Sequence, residues 1–383
     1  MNRQGCEIVY LDHAATTPMR SEAVAAMLPF LSDAYGNPSG SHAVARAAQR
    51  ALDDAREELA CLLGASAPQL VFTSGGTEAD NLAVLASLAV GRPPSARATV
   101  LCSAVEHPAV LESCRAAGGR TVAVDHRGVI DLDALAQSLD ENVRLVSVMA
   151  VNNETGVRQP LEEITALVRE LAPTALVHTD AVQAFAWLDV ARLTTAVDLL
   201  SVSGHKFGGP KGVGALVAKD RATLKALMHG GPQERERRAG TQNMPAIVAM
   251  VAAARATVRD RALDSRRVGE LSARLVVGIT EAVPGVHEAV PETDRIEAIC
   301  NLGFDGVEAE ELLVVLDELG VCASAGSACA SGAIEPSHVL LAMGLAPAQA
   351  RCHLRLSLGH ATTGSDIDAA LVAFPKAVER LRG

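Results

Sequence analysis

The stretch SVSGHKFGGPKG, residues 201–212, sets one lysine, Lys206, behind a histidine and ahead of a glycine pair and a proline. An isolated lysine is ordinarily a surface charge. Here Ser203 and His205 flank it with hydrogen-bonding groups, glycines allow close backbone approach, and the preceding apolar run DLLSVS would desolvate the amine. Desolvation lowers a lysine pKa, which is what a Schiff-base lysine requires. Twenty-six residues upstream, Asp180 closes another apolar run, ALVHTD. A carboxylate at a buried strand end is costly unless it meets a cation or caps a helix, and Asp180 alone fits both readings.

Taken together and in this order, Asp180 and Lys206 suit pyridoxal phosphate: the lysine bonds the carbonyl carbon, and the aspartate keeps the ring nitrogen protonated so that the ring remains an electron sink. The phosphate then needs a cradle. SGGTEADNLAV offers Gly75 and Gly76, the Thr77 hydroxyl and a helix whose N-terminal amides would face an anion. No GK[ST] follows, so this is not a Walker loop, and the glycine pair alone is equally a tight turn. His107 in SAVEHPAV either lies on the ring face or caps the helix that Pro108 opens.

Strand ends must position these groups. From about residue 68 to 218 the runs QLVFTS, ATVLCS, RLVSVMAV, ALVHTD, DLLSVSGH and VGALVAK read as strands, with helices from Thr77, Pro108 and Leu161. This alternation predicts βαβ units and a mainly parallel sheet covered on both faces, with ligands at the strands' carboxyl ends. A long helix over 245–283 follows, alanine-rich and then charged, with Pro245 in its first turn. It leads to a smaller α+β region: a strand in IEAICNLGF, a helix over EAEELLVVLDEL, the strand CHLRLSLG and a closing helix from about Ser365. At 383 residues, 49% of them hydrophobic, two domains are expected.

The net charge of −11 argues against general affinity for nucleic acid or anionic membranes. The basic cluster Arg235, Arg237 and Arg238 reads as a solvated loop. No signal peptide and no run of roughly 20 apolar residues is present, so a cytoplasmic location is expected. Eight scattered cysteines without a CxxC pair suggest reduced thiols and no metal site.

Ten motifs in fixed order, YLDHAATTP, GNPSGSH, FTSGGTEADN, EHPAV, VNNETG, HTDAVQ, SGHKFGGPKG, RRAGTQN, SAGSACASG and RLSLGHATT, cover nearly the whole chain. They resemble cysteine desulfurases of the class-V aminotransferase family, in the nitrogenase-type and housekeeping group. The resemblance implies an α/β fold of pyridoxal-phosphate fold type I: a seven-stranded, mainly parallel sheet in a large cofactor domain, 20–260, and a small domain from 1–19 and 261–383. It makes Lys206 the Schiff-base lysine, Asp180 the ring-nitrogen partner and Gln183 the partner of the ring hydroxyl. Asn153 sits beside ring and substrate, and His107 stacks on the ring and moves protons. Gly76, Thr77, Ser203 and His205 hold the phosphate, joined by Thr241 of a second subunit, so a homodimer is implied. Arg355 clamps the substrate carboxylate, for which its planar fork is suited.

Cys329, on a loop of about 322–336 whose small residues predict mobility, is implied as the acceptor of sulfur from L-cysteine, with L-alanine released; the other seven cysteines read as buried. The persulfide then passes to an acceptor protein or thiol. Ala325, Ala330 and His360 depart from the usual residues of the family. Two rival readings share much of this pattern: another pyridoxal-phosphate lyase or aminotransferase, and a non-catalytic sulfur or iron–sulfur assembly subunit. The destination of the sulfur, whether clusters, thiolated tRNA, a thiocofactor, a metabolite or sulfur-modified DNA, is not written in these motifs.

Overall fold

The computed structural model describes residues 8–88, 99–291, 294–326 and 336–383. Cys6 and the segment holding Cys329 and Ala330 lie outside the described residues. The chain opens with β1 (Val9–Tyr10), α1 (Ser21–Met27), α2 (Pro29–Ser32) and α3 (Ala43–Leu62). An alternating run follows: β2 (Leu70–Thr73), α4 (Gly76–Leu88), β3 (Thr99–Ser103), α5 (Pro108–Ala116), β4 (Arg120–Val122), α6 (Leu132–Ser138), β5 (Val143–Ser147), α7 (Leu161–Leu171), β6 (Leu176–Asp180), α8 (Val190–Ala196), β7 (Leu199–Ser203) and β8 (Gly214–Ala218). The remainder is α9 (Met244–Ala282), β9 (Val286–Glu288), β10 (Ile299–Phe304), α10 (Ala309–Glu318), β11 (Val321–Cys322), α11 (His338–Ala342), α12 (Pro347–Ala350), β12 (His353–Ser357) and α13 (Gly364–Arg382).

Seven strands form the main sheet in the order β2-β8-β7-β6-β5-β3-β4. The pairs from β7 across to β4 are parallel, while β8 runs antiparallel to both its neighbours. β6, β7 and β8 are buried almost throughout, the polar His178, Thr179, Asp180, Ser201 and Ser203 included, as strands covered on both faces by helices must be. The edge strand β4 was not among the expected strands: its Arg-Thr-Val sequence is short and exposed over its first two residues, so it carries no apolar run to read.

Past α9, the strands β12, β10 and β9 form an antiparallel sheet, and β1 pairs with β11 in parallel. α9 begins where expected, with Pro245 in its first turn and the Asn243 side chain accepting the Ala246 amide at 3.2 Å. Its alanine-rich first half is buried, and it packs on α1, α3 and α13. One apolar core runs continuously from Phe72 and Val202 in the main sheet to Phe304 and Phe374, whose rings stack at 5.9 Å. Among the described residues no helix is long and apolar enough to cross a membrane.

The expectation that every cysteine but Cys329 is buried is corrected. Cys102, Cys114 and Cys300 are buried, but Cys322 and Cys352 are half-buried and Cys61 is exposed. Cys61 falls on the outer face of α3, beside the buried Leu59 and Ala60, where helical rotation turns it to solvent.

Candidate active site

β6 ends in Asp180 and β7 in Ser203, and the chain then makes a single 3-10 turn, Gly204–Lys206. These carboxyl ends, the N-terminus of α4 and the start of α5 enclose a cleft of about 330 Å³. Gly76, Thr77, His107, Asn153, Asp180, Gln183, Ser203, His205, Lys206 and Arg355 all line it. Thr241 is exposed and does not line it, and Cys329 lies outside the described residues.

Lys206 Nζ donates to the carbonyls of Ala14, at 2.5 Å, and Ala15, at 3.0 Å. Gln183 Nε2 donates to the same Ala14 carbonyl at 2.8 Å. The DHAATT segment, held at Asp12 against Ser357 and at Thr17 against the His205 carbonyl, therefore forms one wall of the cleft. Asp180 is buried, with Oδ1 accepting the Val182 amide at 2.8 Å. Burial pushes its carboxyl up, against the stabilising pull of His107, the Val182 amide and Lys206. A buried acid in that state favours a cationic partner.

His107 is the capping residue that one reading made it, Nδ1 accepting the Ala109 amide at 3.1 Å at the start of α5, and it also lines the cleft. Burial lowers its pKa, assisted by Lys206 and His338 and opposed by Asp180. With Nδ1 an acceptor, a neutral ring carries its proton on Nε2.

At the other end of the cleft, Gly76 opens α4, whose first-turn amides have no helical carbonyl to satisfy them. A Cβ at Gly76 would stand 2.9 Å from Val182 Cγ2 and 3.4 Å from Ser203 Cβ, so only glycine leaves the hollow open. Thr77, Ser203, His205 and Lys211 surround this end. His205 Nδ1 lies 3.2 Å from Thr16 Oγ1, and burial, Lys206 and Lys211 push its pKa down to about 4.

Arg355, on β12, is buried and held by the Asn153 carbonyl at 3.0 Å and by Asp12 at 2.7 Å, with its Nε unpaired. Asp12, the Ala14 and Ala15 carbonyls and the buried acids Asp80, Glu106 and Glu154 are parts of the site that the sequence reading did not assign. Asp80 lines the cleft with Oδ1 3.7 Å from His178 Nε2, and burial pushes its carboxyl up. Glu106 accepts the Met149 amide at 2.6 Å. Glu154 accepts the Ser337 hydroxyl at 2.5 Å and packs on Gly326, whose φ of +86° and missing Cβ let it lie against that carboxylate and line the cleft.

These features fit pyridoxal phosphate. An anion-shaped hollow at a helix N-terminus, a buried acid that favours a cation and an amine between them occupy one cleft, with an unpaired guanidinium nitrogen on its wall.

The PQERERRAGT stretch departs from the solvated loop expected of it. Glu234 is 5% exposed and Arg238 pairs with Glu78 in the first turn of α4 at 2.8 Å. Glu234, Arg235 and Glu236 take φ of 49°, 55° and 63°. Such left-handed conformations cost non-glycine residues about 1–3 kcal/mol each and persist only where surrounding contacts over-determine them.

The family described as Aminotransferase class-V matches residues 9–370 of this chain. "Cysteine desulfurase" of Trichormus azollae is 42% identical over 380 residues, spanning 98% of this chain and 94% of that protein. Among solved structures, a "NIFS-LIKE PROTEIN" superposes with a TM-score of 0.91 at 32% identity, over 98% of this chain and all of the other. "SspA in complex with cysteine" matches with a TM-score of 0.79 at 32% identity, over 91% of this chain and 98% of that one. The ordered motifs, the strand-end cleft and these likenesses agree: the chain belongs to the class-V aminotransferase family, among its cysteine desulfurases.

Proposed function

We propose that this chain takes L-cysteine into the cleft, releases L-alanine and receives the sulfur on Cys329 as a persulfide. The observation that carries the reading is convergence: Lys206, Asp180, His107 and Arg355 line one cleft, and so does Gly326, three residues before Cys329. Three peptide units span at most about 11 Å. That a relative of this fold is named as a complex with cysteine supports the substrate.

Pyridoxal phosphate, when bound, supplies an electron sink for the pair left at the substrate Cα. Asp180 would hold its ring nitrogen, Gln183 its hydroxyl, and Gly76, Thr77, Ser203 and His205 its phosphate. Asn153, on the cleft wall, would stand beside ring and substrate. Arg355 binds the substrate carboxylate, and Asp12 fixes the plane of its fork. Lys206 moves the Cα proton, and His107, whose Nδ1 is held by the Ala109 amide, would donate from Nε2 within the same cleft. The Cys329 thiolate takes the sulfur: the Cβ–S bond breaks with its electron pair left on the carbon fragment, an S–S bond forms, the carbon fragment takes a proton and leaves as alanine, and the two-electron reduction at Cβ balances the oxidation of sulfur to the persulfide level.

Thr241 acts on a second subunit. Its exposure, and its absence from this chain's own cradle lining, support a homodimer with the phosphate held in trans. The persulfide passes to an acceptor protein in the cytoplasm. The chain divides into a cofactor body, 20–260, and a smaller one from 1–19 and 261–383.

Arg355→Lys should raise KM for L-cysteine about tenfold or more, with kcat changed less, because an ammonium cannot make the paired bonds of a guanidinium to carboxylate. Steady-state alanine formation across cysteine concentrations checks this. The function is tested by mass spectrometry of products after mixing purified protein with L-cysteine and a reducing thiol. Alanine with sulfide is expected, whereas pyruvate with ammonia would make it an elimination enzyme.

A further inference from the structure

We propose that the Arg56–Glu234 ion pair is a positioning device that fixes the left-handed turn at 234–236 and so presents Thr241 to the cofactor phosphate of a second copy of this chain. The proposal rests on reading Thr241 as acting across a dimer.

Glu234 is the hub. Its carboxylate accepts Arg56 Nη1 at 2.7 Å and Nη2 at 2.6 Å, the Phe72 amide at 2.9 Å and Gln242 Nε2 at 3.3 Å. Gln242 adjoins Thr241, and on the other side the Gly240 amide donates to Gln233 Oε1 at 3.2 Å. Thr241 is thus tied on both flanks to the strained turn while remaining exposed itself.

Arg56 anchors the pair to the sheet. It donates to the Leu70 carbonyl at 3.0 Å and lies 4.8 Å over the Phe72 ring, on the strand that runs into this chain's own phosphate cradle. Arg238 adds a second tie, to Glu78 beside that cradle. An apolar pair could pack here as well, but only a two-pronged ion pair sets the angle of the turn that strain would otherwise relax.

The test titrates pyridoxal phosphate onto apoprotein. Glu234→Gln should weaken binding about tenfold or more while the protein stays a folded dimer, since hydrogen bonds to a charged group are being removed. Thr241→Ala should give a similar loss, and the double variant little more. A mixed dimer is then made with Glu234→Gln in one chain and Lys206→Ala in the other, and cofactor trapped on Lys206 by borohydride is measured against cofactor concentration. The one Lys206 site faces a partner loop with intact Glu234, so it should bind as in the parent protein. Parent-like affinity in the Glu234→Gln homodimer overturns the positioning role. A weakened site in the mixed dimer shows action within the same chain and overturns the reading of Thr241 instead. If Glu234→Gln does not fold, Gln242→Ala cuts only the tie next to Thr241; weakening in the same direction supports the proposal, and unchanged affinity overturns it.

Discussion

Lys206→Ala protein should form no alanine above background. Removing a general acid–base group alone costs about 10²–10⁴-fold in rate, and here the covalent attachment goes with it. The cleft offers no substitute. His107 has Nδ1 committed to the Ala109 amide and a pKa lowered by burial, so it is a weak base. His205 is held near Thr16 with its pKa pushed down to about 4. Asp180 is committed to the Val182 amide, and burial pushes the carboxyls of both Asp80 and Asp180 up. Lys206→Arg keeps a cation near the Ala14 and Ala15 carbonyls but supplies no neutral amine, and should be as inactive. Amino-acid analysis of single-turnover mixtures decides it: more than about 1% of parent turnover in either variant would move the proton-transfer role elsewhere.

Residues whose partners are the strand ends were legible in the sequence, and residues whose partners are distant were not. Asp180 and Lys206 announce themselves because each is a polar group closing an apolar run, a pattern that places it at the carboxyl edge of a buried sheet. The main sheet was legible for the same reason, and β4 was missed because it has no such run. Asp12, by contrast, gains meaning only from Arg355, 343 residues away, and Glu154 only from Ser337 and Gly326. The PQERERRAGT stretch was misread because charge density normally means solvent. Glu234 is buried by Arg56, 178 residues earlier, and no local rule joins them. The exposed Cys61 on α3 differs from the buried Cys114 on α5 by its place around a helix, and Cys102 is buried because it sits in β3; composition carries neither distinction.

Cys329→Ser should leave cofactor binding and L-cysteine binding intact, yet form no persulfide and lose about 10³-fold or more of sulfur transfer. A serine hydroxyl is not ionised near neutral pH, and the thiolate is the nucleophile in attack on sulfur. The described cysteines make poor replacements. None lines the cleft. Cys102 and Cys300 are buried with thiols pushed up, the first by a hydrogen bond with the Cys114 thiol and by burial, the second chiefly by burial. Burial raises Cys322 further with Asp317 and Asp12, and raises Cys352 with Glu308. Cys114, the thiol lowered by Cys102, is buried behind β3. Cys61 is exposed on α3, away from the cleft lining. Cys329 follows by three residues in the chain Gly326, which lies on the cleft wall. Mass spectrometry of the protein after one equivalent of L-cysteine should therefore show a 32-dalton addition, the mass of one sulfur atom, on the parent and none on the variant. Full addition on the variant, mapped to another cysteine, would transfer the acceptor role to that residue, whereas alanine formation without any addition would mean that sulfur leaves the cleft directly to an external thiol.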